Sequence, residues 1–267
     1  MSCPMSDQSI AQYRRDGFHF PIRVMSVNEA RGYRERLEAY EASTGSPLAG
    51  DRLFKIHLLF TWAHDLVSCP QILDAVEAFI GPDILCWGTD VFIKEPHDPS
   101  FVSWHQDSTY WSLDPSEGVT VWLALSSAPV ASGAMKFLPA SHTAPIPHII
   151  QRHKDNLLTR GQHLAIDVKE SDAVNVALEP GEISLHDFRL AHGSYPNTTD
   201  DRRIGLAIRY VPPHIRSLSV RDSAMLVRGK DRFDHFEHEQ APKSDLDPAA
   251  RAVHTEIVKR LAKVIGT

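Results

Sequence analysis

The chain has 267 residues, 42% of them hydrophobic and 23% charged. This is ordinary globular composition, with enough chain to bury a core without disulfide or metal staples. Against 34 Asp and Glu stand 28 Lys and Arg, a formal net charge of -6 that gives no reason to expect nucleic acid as a partner.

The elements follow in chain order. The segment from Ser6 to Asp16 reads as a short amphipathic helix that ends at Gly17. Residues 28–42 read as a second helix, because Ala30, Tyr33, Leu37 and Tyr40 recur at three-to-four spacing. A turn-rich stretch over 43–51 separates it from a third helix over 63–80, which stops at the Gly81-Pro82 pair. The pattern then changes from helical to β. Residues 83–94 are apolar and β-prone, and VTVWLALS over 119–126 alternates like a strand. Short strands are expected over 134–138 and 183–186. RIGLAIRYV over 203–211 is another alternating strand, closed by Pro212-Pro213. Residues 222–244 look polar and irregular, and 248–265 are helical in pattern.

Helices followed by many short strands predict a mainly β fold, a barrel or jelly roll with helices on its outside. We expect one domain over 1–267, with N-terminal helices over about 6–80, a core over about 83–215, and a tail and helix over 216–267. The three cysteines, Cys3, Cys69 and Cys86, form no CxxC pair and suit neither a disulfide framework nor a cysteine zinc site. The opening MSCPMSDQSI lacks the pattern of a secretory leader. No stretch reaches the roughly 18 apolar residues of a spanning helix, and no polybasic run suggests a membrane surface. The expectation is a reduced, soluble, cytoplasmic protein.

Among 15 histidines, most must be bystanders. The sharpest local signal is Trp104-His105-Gln106-Asp107. In extended backbone, residues i and i+2 project to one side, so His105 and Asp107 would point together. An imidazole and a carboxylate of this kind, joined by a distant histidine, form the two-histidine, one-carboxylate face that leaves three positions of an iron open. An HxD triplet alone is common and often only a surface hydrogen-bonded pair. The second segment strengthens it: His192 leads HGSYPN, and eleven positions later Arg203 opens the RIGLAIRYV strand. Arginine suits a bidentate clamp on a carboxylate. A histidine for metal and an arginine for a dicarboxylate is the pairing that 2-oxoglutarate chemistry needs. Arg209, six residues after Arg203, shares its strand face. Buried there it would need an anion, from the cosubstrate or the substrate.

WHQD at 104–107, GAMKFLPASH at 133–142, and HGSYPN with DRRIGLAIRY over 192–210 occur in this order. With these motifs, the stretch from about Leu53 to Arg216 resembles the phytanoyl-CoA dioxygenase (PhyH) family of Fe(II)/2-oxoglutarate oxygenases. The resemblance implies a double-stranded β-helix, that is, a cupin-like jelly roll. It implies iron at His105, Asp107 and His192, with Arg203 on the distal carboxylate of 2-oxoglutarate and Ser194 adding a hydrogen bond. Trp122 matches a tryptophan that donates its indole N–H to the cosubstrate, with core packing as its alternative role. Lys55, as a further 2-oxoglutarate ligand, and His57 align with a segment that lines the site in relatives. Trp104 and Tyr110 would shield the iron from water, and Lys94 would be structural. No catalytic residue beyond the iron ligands is implied.

The implied cofactors are Fe(II) and 2-oxoglutarate, with dioxygen as cosubstrate and ascorbate open as a stimulant. The implied reaction is hydroxylation of an unactivated C–H bond of a small metabolite, releasing succinate and carbon dioxide. The Asp107 carboxylate argues against halogenation, in which relatives carry a small residue there; desaturation and cyclisation stay open. Two rivals from other classes are a non-catalytic jelly-roll binding protein and a metal-dependent hydrolase or isomerase, which would not need Arg203. The polar stretch over 143–172 is expected to form a lid and leans towards a small polar substrate, anionic if Arg209 is free. A carrier protein stays open as a partner.

Overall fold

The computed structural model describes residues 5–158 and 160–265; Cys3 and the opening MSCP lie outside the described residues. Its helices are α1 (Asp7–Asp16), α2 (Val27–Thr44), α3 (Thr61–Val67), α4 (Pro70–Ile80) and α5 (Pro248–Ile265). The first strands are β1 (Phe18–Arg23), β2 (Ile84–Lys94), β3 (Val102–His105), β4 (Leu113–Asp114), β5 (Val119–Ala124), β6 (Met135–Phe137), β7 (His148–Ile150) and β8 (Gln162–Leu164). The remainder are β9 (Val174–Val176), β10 (Glu182–Asp187), β11 (His192–Ser194), β12 (Arg203–Val211), β13 (Arg216–Ser217), β14 (Ser223–Arg228) and β15 (Glu237–His238).

Local chemistry sets the helix ends. The Ser6 hydroxyl accepts from the Ser9 N–H at the start of α1, and Gly17 closes that helix at φ 86°, in the left-handed region that favours glycine. Ser26 and Glu29 form a reciprocal capping box on α2. The single helix expected over 63–80 is two. Pro70 takes the first position of α4, since its ring and missing N–H bar it from continuing α3.

Seven strands form one sheet in the order β1-β10-β5-β12-β2-β14-β15, antiparallel except for the β14–β15 pair. Four more form a second sheet, β3-β11-β6-β9. This is the jelly roll that the pattern predicts. Alternation along the central strands shows how the two sheets and the helices share the interior. Val121 and Leu123 of β5, with Ile204, Leu206, Ile208 and Tyr210 of β12, pack into one cluster with Leu37 of α2, Trp62 and Leu66 of α3, and Ile72 and Val76 of α4. The opposite face sends Trp122, Ala124 and Ala207 into a second cluster with Met135, Phe137 and Val176 of the smaller sheet. The large sheet is therefore covered by helices on one side and by the smaller sheet on the other, and β5 is buried at all six positions.

That sandwich fixes register. Burying each of Ile204, Leu206 and Ile208 contributes about 1.5–3 kcal/mol. A one-residue slip would turn them towards the cleft and drive Arg203 and Arg209 into the helix-packed core. At the rim of the cleft, Arg202 bridges Glu41 of α2 and Glu95, while Arg34 of α2 grips Asp201 at 2.7 Å. These ties hold the entry to β12 against α2.

The tail expected to be irregular over 222–244 instead supplies β14 and β15 to the sheet edge. The stretch expected as a lid over 143–172 holds the β7–β8 hairpin.

Candidate metal and cosubstrate site

β3 and β11 are neighbours, and their register sets His192 directly opposite His105. Their rings lie 4.2 Å apart, centroid to centroid. Asp107 follows β3 at the first residue of a short 3-10 turn, and His105 Nε2 lies 3.2 Å from its Oδ1. One ligand atom from each of the three lies within 4.8 Å of the others.

Both histidines are oriented by their own backbone. Nδ1 of His105 sits 2.9 Å from the Ser103 carbonyl, and Nδ1 of His192 sits 2.9 Å from the Leu190 carbonyl. A carbonyl only accepts, so each Nδ1 carries the proton and each Nε2 keeps its lone pair for a metal. Burial, then the neighbouring His105, pushes the His192 imidazole down to about 4, so it is neutral at pH 7. Burial raises the Asp107 carboxyl, but the histidines outweigh it and hold the group below its ordinary value, ionised. Two imidazoles and one carboxylate, with open space beside them, fit a facially bound Fe(II).

An inner pocket runs from these three side chains to Arg203, lined on the way by Trp122, Ser194, Met135 and Ala207. Arg203 is buried, and among the described residues it has no ion pair or hydrogen bond. Burial pushes its guanidinium down to about 10, only partly offset by the charge of Asp98. It lies over the face of Trp122, 5.2 Å from the ring centroid. Gly205 lets Trp122 lie there, since a Cβ at that position would come within 1.9 Å of the indole. A buried, unpaired guanidinium is expensive. Its place opposite the triad fits the far carboxylate of a short dicarboxylate.

Ser194 lines the same pocket, and its hydroxyl accepts from Lys94 Nζ at 2.8 Å. That bond leaves the serine proton free to donate into the pocket. Lys94 also donates to the Tyr195 carbonyl, and burial, then nearby Arg203, pushes its ammonium down to about 6. Lys94 thus orients Ser194 without lining the pocket itself.

Beyond the triad the space widens. A cavity of 600 Å³ shares His105, Asp107, Arg209, Phe92 and Leu158 with the inner pocket and adds Leu53, Phe54, Tyr110, Trp111 and Leu157. A side chamber of 170 Å³ opens past Tyr110 and Trp111 against Trp87 and Leu113. Tyr110 therefore stands on the wall facing the triad.

Three expectations do not match the structure. Lys55 does not reach the inner pocket: its ammonium is held by Glu239 at 2.6 Å and by the Ser223 carbonyl at 2.8 Å. His57 is fully buried between Thr89 and Glu239, 2.9 Å from each, and lines none of these cavities. Trp104 precedes His105 on a strand, so it faces the other way, packed with Leu164 and Ala191 under the Lys136 ammonium. Arg209 does point inward, but it is not free. It pairs with Asp90 and lies over the Trp111 ring at 4.8 Å. Two inward residues escaped the sequence reading: Thr120 on β5 and His186 on β10, both lining the inner pocket.

A family model described as phytanoyl-CoA dioxygenase (PhyH) matches residues 13–205. The chain belongs to the phytanoyl-CoA dioxygenase family. Members of this family depend on Fe(II) and 2-oxoglutarate. The solved structure of the apo non-haem monooxygenase ThoJ is similar at 36% identity and a TM-score of 0.85, covering 96% of this chain and 97% of that one. CytC3, solved with Fe(II) and alpha-ketoglutarate, shares the fold at 20% identity and a TM-score of 0.70, over 92% of this chain and 98% of that one. A probable alpha-ketoglutarate-dependent hypophosphite dioxygenase of Stutzerimonas stutzeri is 28% identical over 165 residues, 58% of this chain and 54% of the relative. The chain spans about half the length of that curated relative. No helix among the described residues is long and apolar enough to cross a membrane.

Proposed function

We propose that this family member is an oxygenase that hydroxylates an unactivated C–H bond of a small molecule, using Fe(II) at His105, Asp107 and His192 and 2-oxoglutarate anchored by Arg203. The observation that carries the reading is the buried Arg203 guanidinium. It lacks an anion and faces the metal-ligand cluster along one pocket. A metal-dependent hydrolase has no need of a desolvated cation at that spot, and turnover separates an oxygenase from a protein that only binds the dicarboxylate.

When bound, Fe(II) and 2-oxoglutarate supply oxidative decarboxylation, to succinate and carbon dioxide, coupled to activation of dioxygen. The chain's own residues bind and orient. Arg203 neutralises the far carboxylate, Ser194 donates to it while held by Lys94, and Trp122 presents its indole face and an N–H without a protein partner. Asp107 keeps a full carboxylate at the metal, which leaves no ligand place for a halide and favours hydroxylation over halogenation.

The outer chamber argues for a substrate whose reacting part is apolar or aromatic. Its wall beside the triad is Phe54, Tyr110, Trp111, Leu157 and Leu158. Arg209 is already neutralised by Asp90. Arg160 lines the same cavity without an ion pair among the described residues, 6.0 Å from the Tyr110 ring centroid, so an anionic group elsewhere on the substrate has a cation to meet.

The test is turnover under labelled dioxygen. Succinate release stimulated by an aromatic or apolar substrate, with one labelled oxygen in the product, supports hydroxylation. Substrate-stimulated succinate with an unlabelled product that has lost two hydrogens points instead to desaturation or cyclisation. Absence of 2-oxoglutarate consumption under every condition removes the reading.

A further inference from the structure

Thr120 and His186 face each other across neighbouring strands, in register, on the cleft side of the large sheet. Both are almost wholly buried. The Thr120 hydroxyl and both ring nitrogens of His186 lack any hydrogen-bond partner among the described residues. Leaving a buried polar atom unpaired is costly, and such atoms in a folded protein call for a partner that the chain does not supply. Ser184, on the same strand, also lacks a partner, but it does not line the inner pocket, whereas Thr120 and His186 do.

Their position along the pocket identifies the partner. Arg203 and Trp122 mark the far end. Thr120 lies two residues before Trp122 on the same face of β5, about 7 Å along the strand. The His186 ring lies 4.8 Å from the ring of His192. The pair therefore sits at the metal end. A dicarboxylate whose far end rests on Arg203 places its other carboxylate there. A threonine hydroxyl and an imidazole N–H each offer a donor to it.

We propose that Thr120 and His186 form a second anchor for 2-oxoglutarate, hydrogen-bonding its metal-chelating carboxylate. The proposal rests on the functional reading above. It divides the cosubstrate between two grips: one at Arg203 that reads length, and a hydrogen-bonding one at Thr120 and His186 that orients the chelating end.

Two ligands separate the grips on the Ni(II)-loaded protein, measured by calorimetry: 2-oxoglutarate, which carries both ends, and oxalate, which carries only the chelating end. Thr120→Val keeps the side-chain shape and removes the hydroxyl; His186→Phe removes both nitrogens. Each is expected to weaken 2-oxoglutarate and oxalate alike, by about tenfold, the loss of one hydrogen bond. Ni(II) affinity should stay as in the unaltered protein for Thr120→Val. Arg203→Leu should weaken 2-oxoglutarate and spare oxalate. Thr120→Val also keeps the proposal testable if His186→Phe fails to fold. Unchanged affinity of Thr120→Val for both ligands overturns the proposal, as does a loss confined to metal binding. If the unaltered protein binds oxalate but not 2-oxoglutarate, the functional reading falls and takes the proposal with it.

Discussion

Lys55, His57 and Glu239 lie as deep in the protein as Arg203, Thr120 and His186 do, yet the two groups are built in opposite ways. In the first, each polar group meets a partner within 3 Å: Lys55 on Glu239 and the Ser223 carbonyl, His57 on Glu239 and the Thr89 hydroxyl. In the second, a guanidinium, a hydroxyl and an imidazole line one pocket with no partner between them. Both arrangements desolvate polar groups. The first repays that loss inside the chain and ties the β14–β15 edge to the segment before α3. The second leaves it for a ligand to repay. Burial and charge alone do not separate structural groups from ligand-binding ones; what separates them is whether the chain completes their hydrogen bonds.

This contrast can be broken or sharpened by substitution. The largest effect is expected for Asp107→Ala, which should abolish the Ni(II) or Fe(II) binding isotherm and succinate formation, while melting in metal-free buffer stays unchanged or rises. Retained metal binding would move the metal away from this cluster. Next, Glu239→Ala should lower unfolding stability in urea by about 3–5 kcal/mol, because Lys55 is left buried without its partner. In that variant the remaining folded protein should bind 2-oxoglutarate with unchanged affinity. A selective loss of 2-oxoglutarate binding would instead return Lys55 and Glu239 to the site.

Arg203→Leu should act in the reverse sense. It should weaken 2-oxoglutarate binding by about 2–5 kcal/mol, yet leave urea stability equal or higher, since the side chain removed has no partner to strand. Destabilisation on the scale of Glu239→Ala would show that Arg203 is structural. The smallest effect is one of acidity. Burial raises the Glu239 carboxyl, but Lys55 and His57 outweigh it and hold the group down to about 2 against an ordinary 4.5. A carboxylate depressed in the folded state stabilises it above the ordinary value and loses that contribution as pH falls from 4.5 towards 2. Melting temperature should therefore drop more steeply through that window in the unaltered protein than in Glu239→Gln.

The cluster of His105, Asp107 and His192 was legible because its signal is local or sequence-marked: His105 and Asp107 sit two residues apart, and His192 heads a segment that leads to Arg203. The strand 203–211 matched its bounds because alternation and Pro212-Pro213 define both ends. Lys55 and His57 misled because their partner, Glu239, lies more than 180 residues away in a tail that carries no strand signal of its own. Trp104 was drawn in by closeness in sequence, which on a strand means the opposite face. Thr120 and His186 stayed hidden for a related reason. Thr120 is one polar residue in an apolar run and His186 stands in a mixed strand beside Asp187, and only the pairing of β5 with β10 shows that both face the cleft beside His192. The fold was readable as a class, but which strand neighbours which depends on long-range contacts that no local pattern encodes.

The central claim is that one pocket holds a ferrous ion at residues 105, 107 and 192 and a keto diacid stretched to Arg203. Anaerobic titration of the protein with Fe(II) and then 2-oxoglutarate tests it most directly. The account predicts a visible charge-transfer band that saturates at one equivalent of each and disappears in Asp107→Ala. It also predicts that Arg203→Leu will need far more 2-oxoglutarate to develop the band. No band in the unaltered protein, or an identical titration curve for Arg203→Leu, would contradict it.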